Sequence, residues 1–349
     1  MQILQAPKRY PQADLPPVFP NGWYPVLESR ELKVKQVKRV DVLGLELVAF
    51  RTEDGVAHLF DAYCPHLGAH LGAMGRVVDG CIECPFHGWR FDAKDGVCTH
   101  VPYAAKVPDF VRAKKWTSVE LMGNVFLWYH ADNEEPSWTI EDVPQVTSGS
   151  LKPWKRYEET LSCHIRDLAE NESDLTHFSY FHGPNVLISP EEFANNAGTS
   201  AWGTFFTHVW TAKWSTDEHR CCVDINAKIR VLGRYPLFLY NVTYLRLQGP
   251  ALLVVRSETA FGNQLTVCAV TPLGPFRIRV VHTIYYEPGA NLLFRFLAGI
   301  IYCKSVSTSE QEGGRDLADS LQSLLKCIQE HIFVIDTAEN VRCPKFCSA

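Results

Sequence analysis

Long hydrophobic runs are missing from this chain of 349 residues. Nothing reaches the roughly 18 to 20 apolar residues that span a bilayer. The best stretch, Leu292 to Tyr302, is short and carries Arg295, so it reads as a buried helix. The opening MQILQAPKRYPQADLPP has neither an apolar h-region nor a small-residue cleavage site, so no secretory leader is expected. Excess positive charge is missing too. With 34 Lys+Arg against 39 Asp+Glu the net charge is −5, which gives no electrostatic reason to bind nucleic acid. Internal repeats and low-complexity tracts are absent. Hydrophobic residues at 46% with 21% charged residues exclude a disordered or fibrous chain. As written, the chain is expected to be soluble or at most peripheral to a membrane.

What the sequence has in quantity is 12 Cys and 13 His. Disulfide scaffolds are short and loop-rich, and this chain is long enough for about two domains, each with its own core. Cysteines interleaved with histidines point instead to metal in a reducing compartment. The cysteines without such spacing (Cys98, Cys163, Cys221, Cys222, Cys268, Cys303, Cys327, Cys343 and Cys347) read mostly as small buried hydrophobes.

The periodicity divides the chain. Residues 1–20 are a Pro-rich extension. Residues 21–131 carry short β-type runs between turn residues, such as Leu45 to Phe50, Val56 to Phe60, Val119 to Leu121 and Val125 to Tyr129. A polar linker covers 132–153, a second domain 154–300, and an atypical tail 301–349. In the second domain, Leu161 to Phe181 has helical spacing of Asp167, Glu170 and Asp174. Strands are expected at 204–210, 238–247, 252–258, 264–270 and 277–286, forming one large antiparallel sheet. Leu317 to His331 reads as an amphipathic helix. The fold class is therefore α+β.

Two constellations carry chemistry. The first is Cys64-Pro-His66 followed by Cys84-Pro-Phe-His87. Zinc fingers favour Cys-x₂₋₄-Cys and His-x₃₋₅-His blocks, whereas two mixed blocks suit a [2Fe–2S] centre with two thiolates on one iron and two imidazoles on the other. Pro65 and Pro85 follow the cysteines, Gly68, Gly72 and Gly88 would let backbone N–H groups approach sulfur, and Trp89 would shield the site. His70 and Cys81 lie off the pattern and are expected to be structural.

The second constellation is Asn171, Asp174, His177 and His182. Two His and a carboxylate make the facial triad of non-haem iron. His177 and His182 lie about 140° apart on a regular helix, so sharing a metal requires the helix to distort or end, as Gly183-Pro184 allows. Asp174, one turn before His177, is placed to orient it.

In order and spacing these motifs resemble the Rieske non-haem iron oxygenases. The segments 20–25, 81–89, 98–103, 107–110 and 182–184 resemble the animal cholesterol 7-desaturases of the Neverland type. The resemblance implies a Rieske domain followed by a helix-grip-like catalytic domain, with a [2Fe–2S] cluster on Cys64, His66, Cys84 and His87. It implies a mononuclear Fe(II) on His177 and His182, with Asn171 and Asp174 beside it. It further implies NAD(P)H supplied through a separate reductase and ferredoxin, a sterol substrate, dioxygen, and a homotrimer in which electrons pass from a cluster His through Asp174 and His177. Membrane association at the cytosolic face of the endoplasmic reticulum is implied as well, although the membrane helix of the family is missing from this sequence. The family's downstream Asp before Ile-Trp is also missing, which leaves Glu330, Asp336 and Asp316 as stand-ins for the third iron ligand. Phe178, Phe181, Phe206 and Trp210 would line a sterol pocket or belong to the core. The alternatives are a Rieske hydroxylase of steroid or aromatic rings and a non-catalytic variant without a complete iron site.

Overall fold

The computed structural model describes residues 17–167 except 108, then 170, then 206–290 except 218, 232, 233 and 239, and finally 295. The side chains of residues 206–210 and 229–231 are outside the description, so Phe206 and Trp210 are placed by backbone alone. Asn171, Asp174, His177, His182, Phe178, Phe181, Asp316, Glu330, Asp336 and the helix expected at 317–331 lie outside the described residues.

The N-terminal unit is built from eleven short strands: β1 (Gly22–Glu28), β2 (Val37–Val42), β3 (Leu45–Arg51), β4 (Ala57–Asp61), β5 (Arg76–Val78), β6 (Cys81–Glu83), β7 (Arg90–Asp92), β8 (Cys98–His100), β9 (Lys115–Trp116), β10 (Ser118–Leu121) and β11 (Asn124–Tyr129). They pair antiparallel as three sheets, β1-β11-β10, β2-β3-β4-β9 and β5-β6-β7-β8. A single turn of helix, α1 (Leu71–Met74), links β4 to β5, and another, α2 (Pro144–Thr147), lies in the connecting segment. That segment is pinned to the following sheet by a reciprocal pair: Gln248 accepts from the Glu141 N–H at 2.7 Å and donates to the Glu141 carbonyl at 3.1 Å.

Among the described residues the second unit forms one seven-stranded antiparallel sheet in the order β12-β18-β17-β16-β15-β14-β13. Its strands are β12 (Pro153–Leu161), β13 (Phe206–Asp217), β14 (Arg220–Val231), β15 (Tyr240–Gln248), β16 (Leu252–Thr259), β17 (Gly262–Gly274) and β18 (Arg277–Tyr286). Both faces of its centre are buried. Leu253, Val255, Cys268 and Val280 join Tyr24, Leu47 and Leu59 of the first unit in one core. The alternate residues Leu252, Val254 and Val267 pack with Trp23, Phe126 and Trp128. A strand covered on both faces reads as an unbroken apolar run, as LLVV in β16 does.

The expected order of a small antiparallel β unit followed by a large antiparallel sheet is what the structure shows. Two local expectations change. Leu161 is not the start of a helix but the last residue of β12, opposite Ile278, and helix begins at 165, where the His164 backbone N–H donates to the Asp167 carboxylate at 2.9 Å. Cys221 and Cys222 are half-exposed rather than buried, because β14 lies next to the edge strand β13; Cys98, Cys163 and Cys268 are buried as expected. All eight described cysteines are free thiols.

Candidate metal centre

Two loops at the tip of the N-terminal unit bring the first constellation together. One leaves β4 and runs over residues 64–69; the other joins β6 to β7 over residues 84–89. Each closes on itself with the same backbone ring. Cys64 N–H donates to the Ala69 carbonyl at 2.9 Å and Gly68 N–H to the Cys64 carbonyl at 2.9 Å. In the second loop Cys84 N–H donates to Trp89 at 2.8 Å and Gly88 N–H to Cys84 at 3.1 Å. The ring requires a left-handed residue four positions after the cysteine, and glycine stands there both times, with φ of 71° at Gly68 and 68° at Gly88. The expected role of the glycines is therefore corrected: their N–H groups go to carbonyls, and Gly72 N–H goes to His70 Nδ1 at 3.0 Å. The backbone donors directed at the Cys64 sulfur come from His66 and Leu67.

The donors separate into two pairs of like kind. Cys64 and Cys84 lie inside, each 2% exposed, with their thiols in contact. Burial pushes the Cys64 thiol up to about 12, and the adjoining Cys84 thiol pushes the same way. A thiol held up in this way sheds its proton only to a strongly positive partner such as iron. The imidazoles form the outer pair. The His66 and His87 rings meet edge to face with centroids 4.8 Å apart, and both are half-buried. His66 Nδ1 is buried with no hydrogen-bond partner, an orphaned polar atom of the kind a ligand satisfies. Buried thiols in contact, paired imidazoles above them and an orphaned ring nitrogen fit a [2Fe–2S] cluster with its imidazole-bound iron outermost.

The surroundings hold this arrangement rigid. Trp89 stacks on His66 at 4.2 Å with an interplanar angle of 9°, and its indole N–H donates to the Tyr103 hydroxyl at 2.7 Å. Beneath the loops lies a core of Phe50, Phe60, Leu71, Ile82 and Phe91. Glu83, next to Cys84, is clamped between Arg76 at 2.6 Å and Arg90 at 2.8 Å. Burial alone would raise its carboxyl, but the bonds from Arg90 and Arg76 outweigh that and hold it below the usual range. The two residues off the motif have local roles: His70 caps α1, and Cys81 contacts the Asp79 carbonyl and Thr99. Leu67 and Phe86 stand exposed beside the imidazoles.

The sheet contributes a cluster that the sequence reading passed over. His282 of β18 is 1% exposed, lies opposite Cys268 of β17, and has its Nε2 3.5 Å from Glu159 of β12. Burial alone would lower the His282 imidazolium, but Cys268 and Glu159 overcome it and push it up to about 10. Cys268 and His282 face each other across the β17–β18 hairpin, but β12 with Glu159 is distant in sequence, so no spacing rule could have joined all three.

Comparison with known proteins places both units. The Rieske [2Fe-2S] domain family matches residues 22–111, and the 3-ketosteroid 9alpha-hydroxylase C-terminal domain family matches residues 127–292. A cholesterol 7-desaturase of Xenopus laevis is 38% identical over 80% of this chain and 62% of its own length. One from Drosophila melanogaster is 37% identical over 78% and 63%. The oxygenase component of a probable 3-ketosteroid-9-alpha-monooxygenase of Rhodococcus rhodochrous is 34% identical over 48% and 42%. The chain thus spans about three fifths of the length of the desaturases it matches. Among solved structures, apo dicamba monooxygenase shares the fold with a TM-score of 0.58 at 15% identity, covering 89% of this chain and 87% of that one.

Proposed function

The chain belongs to the Rieske non-haem iron oxygenases, and from that premise we propose that it is an oxygen-dependent sterol 7-desaturase that converts cholesterol to 7-dehydrocholesterol. The observation that carries this reading is 38% identity to a cholesterol 7-desaturase across four fifths of the chain. When bound, the cluster supplies one-electron transfer and a mononuclear iron supplies dioxygen activation, with NAD(P)H as the distant electron source.

The residues of this chain hold and orient those groups. Cys64 and Cys84 would hold one iron of the cluster and His66 and His87 the other. Trp89 fixes the plane of His66 and keeps water from that side. The half-buried imidazoles, rimmed by Leu67 and Phe86, are where a ferredoxin-type donor reaches the site while the thiols stay sealed. His177 and His182 would hold the second iron, with Asp174 and Asn171 beside it, and the third ligand, a carboxylate, is unassigned among Glu330, Asp336 and Asp316. The domain limits 21–131 and 154–300, joined by 132–153, belong to the same proposal, as do the homotrimer and the site at the cytosolic face of the endoplasmic reticulum. Among the described residues no helix is long and apolar enough to cross a membrane.

Incubation of the iron-loaded protein with cholesterol, NAD(P)H and a reductase–ferredoxin pair tests the reading, with 7-dehydrocholesterol as the expected product. A hydroxylated sterol would favour the second reading, a steroid hydroxylase, which the match of residues 127–292 supports. Iron content separates both from a non-catalytic variant: about three Fe per chain for an oxygenase and about two for the variant.

A further inference from the structure

The two ends of the seven-stranded sheet differ. One end is covered by the N-terminal unit: the Thr271 hydroxyl donates to the Pro25 carbonyl at 2.9 Å, and Leu43 N–H donates to Pro272 at 2.9 Å. The registers bring the β14–β15 connection, the β16–β17 turn and the start of β12 to the other end. There Trp154, Tyr235, Leu237, Phe238, Tyr240 and Phe261 are all exposed, Leu237 at 95%. Phe276 is the one other large apolar side chain of the described sheet that is exposed, and it lies at the covered end against His164.

Charge sorts with this patch. No acidic residue occurs between Asp224 and Glu258, while Lys228 and Arg234 beside the patch are exposed. Among the described residues, Glu258 and Glu287 at this end are engaged by Arg256 at 3.4 and 3.1 Å. Trp and Tyr rings sit at the headgroup level of a bilayer, Leu and Phe enter the acyl boundary, and Lys and Arg meet anionic headgroups. Turn tips offer depth of insertion more than the roughly 800 Å² per partner of a stable protein interface.

We propose that this end of the sheet, led by Leu237 and Phe238 and flanked by Lys228 and Arg234, is a contact surface for a bilayer bearing anionic lipid. The placement stands apart from the reaction the chain performs, because binding is read without turnover.

The test uses the full, cluster-loaded chain and vesicles of phosphatidylcholine with or without phosphatidylserine. Wild type sediments with the mixed vesicles, and the double variant Leu237→Asp, Phe238→Asp partitions at least tenfold less. Arg234→Gln weakens binding to the mixed vesicles about fivefold and leaves binding to neutral ones unchanged. The visible spectrum of the cluster verifies folding in each variant. In Leu237→Trp, brominated lipids quench the new fluorescence if the tip inserts. Absence of wild-type binding, undiminished sedimentation of the double variant, or an unquenched Leu237→Trp overturns the proposal. So does loss of self-association in the double variant with lipid binding intact, which would assign the surface to a second copy.

Discussion

The cluster loops and the seven-stranded sheet solve the same problem, holding buried polar groups in place, by opposite means. Each loop fixes its ligands within six residues through a backbone ring closed at a left-handed glycine. The sheet fixes His282, Cys268 and Glu159 by pairing the β17–β18 hairpin with β12, which is far away in the chain. The first arrangement depends on local geometry and tolerates little change of backbone. The second depends on assembly, so it fails only when the sheet does. Local chemistry is therefore separable from global stability in this molecule, and substitutions can divide them.

The largest expected effect is at Cys84→Ser. It should abolish the visible absorption of the cluster and all turnover and reduce iron to about one per chain, while far-UV circular dichroism of the sheet persists. A spectrum that survives would remove Cys84 from the ligand set. The reciprocal change, His282→Leu, should leave the cluster spectrum intact. By stranding Glu159 next to an apolar core it should cost about 3 kcal/mol, read as a fall of roughly 4 °C in Tm for a chain of this size.

The two loops can also be set against each other. At Gly88 an added Cβ would meet Pro102 at 2.8 Å in a left-handed backbone, so Gly88→Ala should destabilise the second loop by about 2 kcal/mol. At Gly68 nothing lies within 4 Å, leaving conformational strain alone, about 1 kcal/mol for Gly68→Ala. Thermal loss of the cluster spectrum ranks the two, and equal effects would mean that the Pro102 contact yields.

The smallest effect is a pH dependence with two limbs. Arg279 and Arg156 hold the Glu158 carboxyl down at about 2, below an unfolded value of about 4.3. Its stabilisation is present above that unfolded value and is lost as pH falls toward 2; screening at this half-exposed site limits it to about 1 kcal/mol. His282 is held up at about 10 against an unfolded value of about 6.5. Its contribution is present below pH 6.5 and disappears as pH rises through 10. Urea midpoints measured across pH should show Glu158→Gln flattening the acid limb only and His282→Leu the alkaline limb only.

The same contrast explains what could be read from the chain. The loops were legible because Cys-Pro-x-His spacing, glycine and tryptophan all lie within a few residues of one another. Strands β3, β16 and β18 were legible from their apolar runs. β12 was not: PWKRYEETL shows no apolar alternation, because its charges are satisfied by partners distant in sequence, Arg156 on Glu28 of β1 at 2.8 Å and Glu158 on Arg279 of β18 at 2.7 Å. β14 carried a readable signal in the alternating buried Val223, Ile225 and Ala227, which the cysteine pair before them obscured. The inward-facing His282 was invisible because nothing in a strand's own sequence names its neighbours.

Tyr24, Leu47 and Leu59 share one apolar core with Leu253, Val255 and Val280. The chain is therefore not a pair of modules on a string. Cutting it between the units would bare an oily face on each fragment, so neither half should be obtainable as a well-behaved recombinant product. Calorimetry of the intact chain should accordingly record one endotherm instead of two.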